Sequence, residues 1–314
     1  MNLKKKSDEI IRVILSSLLP ILVLLLVLGL KPVWAAPIII DHNSISEFAS
    51  LSDVAIDKVQ ANIRWHYAHT SHGGQLTTGL TRIENSDSKY NISIGNSYLP
   101  DESGALNVFN GQEGDTYIAP EEYWKTPAGI QKTKDVLNHN PSINVSAWSW
   151  CSQLNSYTTS QVQAYLNQIA TFEEEFPNVT FVYMTGNAQA NGSEGANRYK
   201  NNNLIRDWVK NSDNRVLFDF ADLDAWWFNG SEWEQATYEY DGQNIPIEHS
   251  HFHSNQANHT TYESCEQKGK AVWVMMDKIQ QTQAQAVPIP AAVWLLGSGL
   301  FGLVAVRRRK SGIS

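Results

Sequence analysis

Residues 66–72 read His-Tyr-Ala-His-Thr-Ser-His, so three histidines, His66, His69 and His72, surround one serine, Ser71. Gly73 and Gly74 follow at once and let the backbone turn tightly. A serine on a sharp turn between strand and helix is well placed to attack a carbonyl, because the first helix amides can hold the oxyanion. Serine is a poor nucleophile until a base takes its proton. Four histidines in a second segment, His249, His251, His253 and His259, are candidates for that base. Asn187, next to Gly186 at the end of an apolar run, can supply a second oxyanion donor. The same residues allow other chemistry. His249, His251 and His253 alternate, so an extended segment would put them on one face, an arrangement that suits Zn²⁺ or Cu²⁺. His66, His69 and His72 make a second such set at turn spacing. Neither set has the sharper His-Glu-x-x-His pattern. The plainest alternative makes Ser71 a helix cap and Asn187 a turn residue.

Chemistry at Ser71 and Asn187 requires elements that bring them to one place. Val54, Ile56, Val59 and Ile63 recur at helical spacing after the capping residues Ser52 and Asp53. Residues 64–70 then read as a short strand, and 80–125 as a long polar excursion. Pro127 opens a helix that Pro141 ends, and residues 143–150 form a strand running into Cys151. Val162, Leu166, Ile169, Phe172 and Phe176 line one face of the clearest helix. Residues 179–186 are a nearly continuous apolar strand, the pattern of burial on both faces. A helix over 195–213, a strand over 215–226, a loop over 227–262 and a final helix from Cys265 complete the order. This alternation predicts an α/β fold, a three-layer α/β/α sandwich around a mainly parallel sheet. Right-handed crossovers place all strand C-termini on one edge. The segments leaving that edge carry Ser71, Cys151, Asn187 and Asp224.

The two ends of the chain read as addresses. Residues 1–35 have a basic start, a long apolar middle and a small-residue finish, the form of a signal peptide cleaved by signal peptidase. At the other end Val287-Pro-Ile-Pro-Ala291 precedes an apolar run to Val306 and the cluster Arg307-Arg308-Arg309-Lys310. The run of 16 residues is short for a bilayer span, which needs about 20. The basic cluster belongs on the cytoplasmic side. Residues 287–314 thus resemble a PEP-CTERM sorting signal in its Val-Pro-x-Pro-Ala variant. The resemblance implies transient membrane anchoring, cleavage by an exosortase, and delivery to the envelope or extracellular matrix of a Gram-negative bacterium.

Residues 36–286 form the working domain, of a length that suits one full core. The chain carries −8 overall, the first 35 residues +3 and the last 28 residues +4, which leaves −15 for the domain. Such a surface repels nucleic acid and anionic lipid, and neutral sugars or their esters are easier partners. The two cysteines, Cys151 and Cys265, can pair in an oxidising compartment, so a disulfide is expected.

Ser71, Asn187 and His259 also follow the order of the SGNH, or GDSL-type, hydrolase superfamily. There a nucleophilic serine follows the first strand, an oxyanion glycine the second, an oxyanion asparagine the third, and Asp-x-x-His precedes the last helix. In an exported bacterial branch of it, His-x5-Cys-x2-Lys-Gly opens that helix, and here His259, Cys265, Lys268 and Gly269 match. The resemblance implies a flavodoxin-like sheet, Ser71 as nucleophile, His259 as general base, and no cofactor. No glycine follows the strand before Cys151, so the Ser152 amide takes the second oxyanion position. Gln256 stands where the aspartate belongs, and Glu248 or Asp224 must supply the acid. Loss of that carboxylate can cost about 10⁴ in rate.

The expected function is therefore an exported esterase or acetylesterase acting on acyl groups of extracellular polysaccharide or another small ester. A metal-binding or metal-dependent hydrolase built on residues 248–253 is one alternative. A non-catalytic carbohydrate-binding envelope protein, with Trp226, Trp227 and Phe228 as its stacking platform, is the other.

Overall fold

A computed structural model of the chain describes residues 36–285. The expected signal peptide and sorting signal lie outside the described residues. Seven parallel strands form the central sheet: β1 (Ile38–Ile40), β2 (Arg64–His69), β3 (Ile92–Asn96), β4 (Leu106–Asn110), β5 (Val145–Ser149), β6 (Thr180–Met184) and β7 (Val216–Phe218). Their spatial order is β1-β7-β6-β5-β2-β4-β3. Helices α1 (Ile45–Phe48), α2 (Asp53–Asn62) and α3 (Gly74–Ser86) pack against α8 (Tyr262–Gln285) on one side. Helices α4 (Pro127–His139), α5 (Thr159–Glu175) and α6 (Gly192–Lys210) cover the other. This is the expected three-layer α/β/α arrangement.

The strands are short because each spans only the core. Trp65, Tyr67, Val145, Ala147, Val182 and Leu217 are all buried, since helices cover both faces of a parallel sheet. From β2 the chain moves outward to β3 and returns to β4 beside β2. It then crosses to β5 on the other flank of β2 and continues outward to β6 and β7. Successive connections thus leave the β2–β5 pair in opposite directions. A crevice opens at the C-terminal ends of such a pair. Residues His69 and Ser149 face each other there in register.

Three regions differ from the sequence expectation. Residues 80–125 hold most of α3 and both strands β3 and β4 rather than an excursion. β4 is interrupted by Asn107, which is fully buried and donates to the carbonyls of Glu102 and Ala105. Two asparagines in five residues, Asn107 and Asn110, hide such a strand from an apolar pattern. The strand expected over 215–226 is only β7, because Asp219 caps a new helix, α7 (Phe220–Ala225), through the Asp222 amide. The loop over 227–262 contains two hairpins, β8 (Trp226–Phe228) with β9 (Trp233–Gln235) and β10 (Thr237–Tyr240) with β11 (Gln243–Pro246).

Helix α3, which starts just after Ser71 and His72, is fixed by a backbone crossing with α8. A Cβ added at Gly79 would lie 1.8 Å from the Cys265 carbonyl oxygen, and one at Gly269 would lie 2.7 Å from the Gly79 carbonyl carbon. Glycine is the residue that permits this approach. Among the described residues no helix is long and apolar enough to cross a membrane.

Candidate functional site

β2 ends at His69, Thr70 stays extended, and Ser71–Gly73 make one 3₁₀ turn leading into α3. That geometry brings the Ser71 and His72 side chains and the His72 amide to the sheet edge. The neighbouring strand β5 ends in Ser149 and delivers Trp150 and Cys151 to the same edge. Trp150 is buried and its Nε1 donates to the Met184 carbonyl at 2.8 Å. The Cys151 amide donates to Gln153 Oε1 at 2.7 Å, and its carbonyl accepts from Asn187 Nδ2 at 2.8 Å. The cysteine backbone is thus held on both sides.

The thiol is the centre of the cluster. Cys151 Sγ lies 3.0 Å from His72 Nδ1 and 3.2 Å from Ser71 Oγ. Burial pushes this thiol up, but the His72 ring, the Ser71 hydroxyl and the His72 amide outweigh it and bring it down to about 6. A thiolate at a helix start, beside an imidazole, is the reactive form of cysteine. Burial pushes His72 down, yet the Cys151 and Gln189 contacts prevail and hold the imidazole above its ordinary value. The two groups therefore favour a thiolate–imidazolium pair.

His72 Nε2 contacts Gln189 Oε1 at 2.8 Å. The amide orientation is fixed by its nitrogen, which donates to the His259 carbonyl at 2.7 Å and to Glu248 Oε1 at 3.2 Å. An amide oxygen only accepts, so His72 Nε2 carries a proton and Nδ1 is left to exchange one with Cys151. Behind Gln189 the polar groups are buried. Glu248 is 5% exposed, accepts from Thr260 Oγ1 at 3.1 Å, and is raised to about 7 by burial and by the charge of Asp224. Asp224 pairs with Lys268 at 2.7 Å, both inside the protein, and accepts the Ala188 amide at 2.8 Å.

The structure brings most of the sequence-derived candidates to this edge but gives them other partners. Ser71 Oγ meets the Cys151 thiol. The His259 ring stacks on His72 with centroids 4.6 Å apart. Asn187 spends its side chain on the Cys151 carbonyl and the Gln189 amide. Ser152 follows Cys151 directly and stands at the N-cap position of the turn Gln153–Asn155, where its carbonyl accepts from the Asn155 amide at 3.0 Å. Gln256 caps α8 by accepting from the Tyr262 amide at 2.8 Å, so it does not orient His259. Of the two acid candidates, Glu248 reaches His72 through Gln189, while Asp224 is occupied by Lys268. In place of the expected disulfide, both Cys151 and Cys265 are free thiols. Cys151 faces His72, whereas Cys265 is buried in α8 at the crossing with Gly79.

The alternative metal sets do not converge. His251 pairs with Glu263 at 2.7 Å and stacks on Trp227, His249 also lies on Trp227, and His253 Nε2 reaches the Glu248 carbonyl at 3.1 Å. His66 is fully buried between Ser146 and the Gly111 carbonyl, and burial lowers it to about 4. His69 bonds the Thr70 carbonyl and Asn110. Among the described residues no group of three or more His, Cys, Asp or Glu is placed to hold a metal ion. The aromatic platform is largely occupied: Trp226 stacks on His42, Trp227 is covered by His249 and His251, and Phe228 is 45% exposed.

Sequence reading missed Cys151, His72 and Gln189 as a unit. The available signal was position: a cysteine and a glutamine leave two of the strand ends that face Ser71 and His72. No protein-family model matches the chain, and no curated protein matches it in sequence.

Proposed function

We propose that this edge is an acyl-transfer site and that the protein is an acyl hydrolase in which Cys151 is the nucleophile. The observation that carries the reading is the line Cys151–His72–Gln189, with contacts of 3.0 and 2.8 Å. The Cys151 thiolate attacks the ester carbonyl, and the His72 imidazolium gives its Nδ1 proton to the departing alkoxide. His72, now neutral, takes a proton from water, and the hydroxide releases the acid from the thioester. The Ser71 and Ser152 amides, at the starts of the turns after β2 and β5, are the oxyanion donors. Ser71 Oγ–H donates to the thiolate. This keeps the reaction class implied by the resemblance to SGNH hydrolases and moves the nucleophile from Ser71 to Cys151.

The substrate we propose is an acylated extracellular carbohydrate. Two surface hollows, of about 510 and 540 Å³, are lined by Asp53, Gln60 and Glu84 and by Tyr199, Lys200 and Asn244 respectively, away from Cys151. Ser71 and Cys151 are half-buried at the sheet edge, where an acyl group carried on a larger polymer can reach them. The acidic domain charge and the export signals favour a neutral glycan.

The test is adduct mapping on the purified domain with an activated acetyl ester and a fluorophosphonate. An acetyl group on Cys151, with turnover lost in Cys151→Ala and reduced in Ser71→Ala, is the expected result. A fluorophosphonate adduct on Ser71, with turnover preserved in Cys151→Ala, would restore the serine mechanism and refute the thiol one.

A further inference from the structure

The turn that carries His259 is conformationally costly. Asn258 and His259 have φ of 50° and 74°, and Ala257 pairs with Thr260 across them. Two successive positive φ values are the signature of a type I′ turn, where glycine is the usual second residue. A bulky residue in that region is uncommon and is held only by its surroundings. Here the surroundings are α3: Asn258 Nδ2 donates to Thr78 Oγ1 at 3.1 Å, and Gln75 Nε2 donates to the Asn258 carbonyl at 2.8 Å. The product of this geometry is the position of one backbone atom. The His259 carbonyl meets Gln189 Nε2 at 2.7 Å, while the His259 ring finds no hydrogen-bond partner among the described residues and rests on His72. The second acceptor on Gln189 Nε2 is Glu248, itself held by Thr260, the last residue of the same turn.

We propose that the 257–260 turn and Glu248 form a two-point clamp on the Gln189 amide, and that this clamp fixes which nitrogen of His72 faces Cys151 with an exchangeable proton. The inference rests on the thiol reading above. With both acceptors in place only the Gln189 oxygen can face His72. With one removed the amide can rotate and present its NH₂ group, which His72 can meet only with an unprotonated Nε2. The imidazolium then loses its acceptor and the thiolate loses its counter-ion. Glu248 and the His259 carbonyl are thus positioning groups acting through Gln189. The charged and titratable groups around them are Asp224 from α7, Lys268 from α8, His253 beside Glu248, the His259 ring over His72, and Arg198 from α6, whose charge Asp224 feels.

The test is the pH dependence of Cys151 alkylation by iodoacetamide, read by mass at that residue, in the full domain. Wild type is expected to show a midpoint near 6. Glu248→Ala moves it toward the ordinary thiol value of about 8.5. Glu248→Gln, which keeps an acceptor oxygen, restores it. His259→Gly, which removes the ring and suits positive φ, leaves it in place, whereas His259→Val, strained in that region, moves it up. A rise in His259→Gly equal to that in Glu248→Ala would assign the effect to the ring and overturn the clamp. Glu248→Gln as damaging as Glu248→Ala would assign it to charge and also overturn it. If Glu248→Ala does not fold, His259→Val set against His259→Gly decides the matter: a rise in the valine variant alone is the expected result, and a valine variant that folds with an unmoved midpoint overturns the clamp. A wild-type midpoint near 8.5 refutes the activated thiol itself, whereas a low wild-type midpoint unmoved by any of these changes refutes only the clamp.

Discussion

Cys151 and Cys265 are the same side chain in two environments. Cys151 lies just past the end of β5 at the sheet edge, beside an imidazole and the first turn of a helix, and is brought down to about 6. Cys265 sits inside the α3–α8 crossing, and burial pushes it up to about 11. Both feel desolvation, which disfavours the thiolate. Only Cys151 has hydrogen-bond donors that reverse its effect. Reactivity in this protein is therefore assigned by the sheet edge.

The largest expected contrast is in labelling. At pH 7 the thiolate fraction of Cys151 should exceed that of Cys265 by about 10⁴, given values of about 6 and about 11. Iodoacetamide on the folded protein should modify Cys151 alone, and equal labelling would erase the comparison. The same values set opposite stability trends. The Cys151 shift is downward, so its contribution is present above the unfolded value of about 8.5 and is lost as pH falls through about 6. The Cys265 shift is upward, so its contribution is present below about 8.5 and is lost as pH rises toward about 11. Denaturant melts across pH 5–11 on Cys151→Ala and Cys265→Ala should separate the two trends.

Next in size is turnover. Cys151→Ala should lower kcat for an activated acetyl ester by about 10³ or more, while Cys265→Ala leaves it nearly unchanged. His72→Gln should cost about 10² in kcat and raise the Cys151 alkylation midpoint, since the imidazole is both proton carrier and counter-ion. Gly79→Val acts on the other region. Its side chain meets the Cys265 carbonyl, and we expect a loss of about 1–3 kcal/mol in urea unfolding. The smallest effect is that of Ser71→Ala, which removes one donor to the thiolate and should lower kcat by roughly tenfold or less.

Much of the architecture was legible in the residues, and the edge that carries the site followed from it. Helix α5, with its apolar face, and strand β6 declare themselves through their apolar patterns, and the structure sets the helix cap at Thr158. β3 and β4 do not, because Ser93, Gly95 and Asn96 break the apolar run of the first and Asn107 and Asn110 that of the second. At the site, sequence order could place Ser71, Asn187 and His259 on one edge but could not choose among neighbours there. His72 and Ser71 are adjacent in the chain and both point into the cluster, and only the 3₁₀ turn decides that the imidazole meets Cys151. The disulfide expectation meets a related limit. Two cysteines and an oxidising compartment permit a bond, but the fold puts one at a strand end and the other within a helix crossing.

The pairing of β2 with β5 has a consequence for when the thiol becomes reactive. His72 and Cys151 are 79 positions apart, and β3, β4 and α4 are made between them. Before those segments condense, Cys151 is an ordinary thiol of about 8.5. The activated thiol comes into being only with the finished sheet, so the rate at which Cys151 takes up a label is a clock for completion of folding.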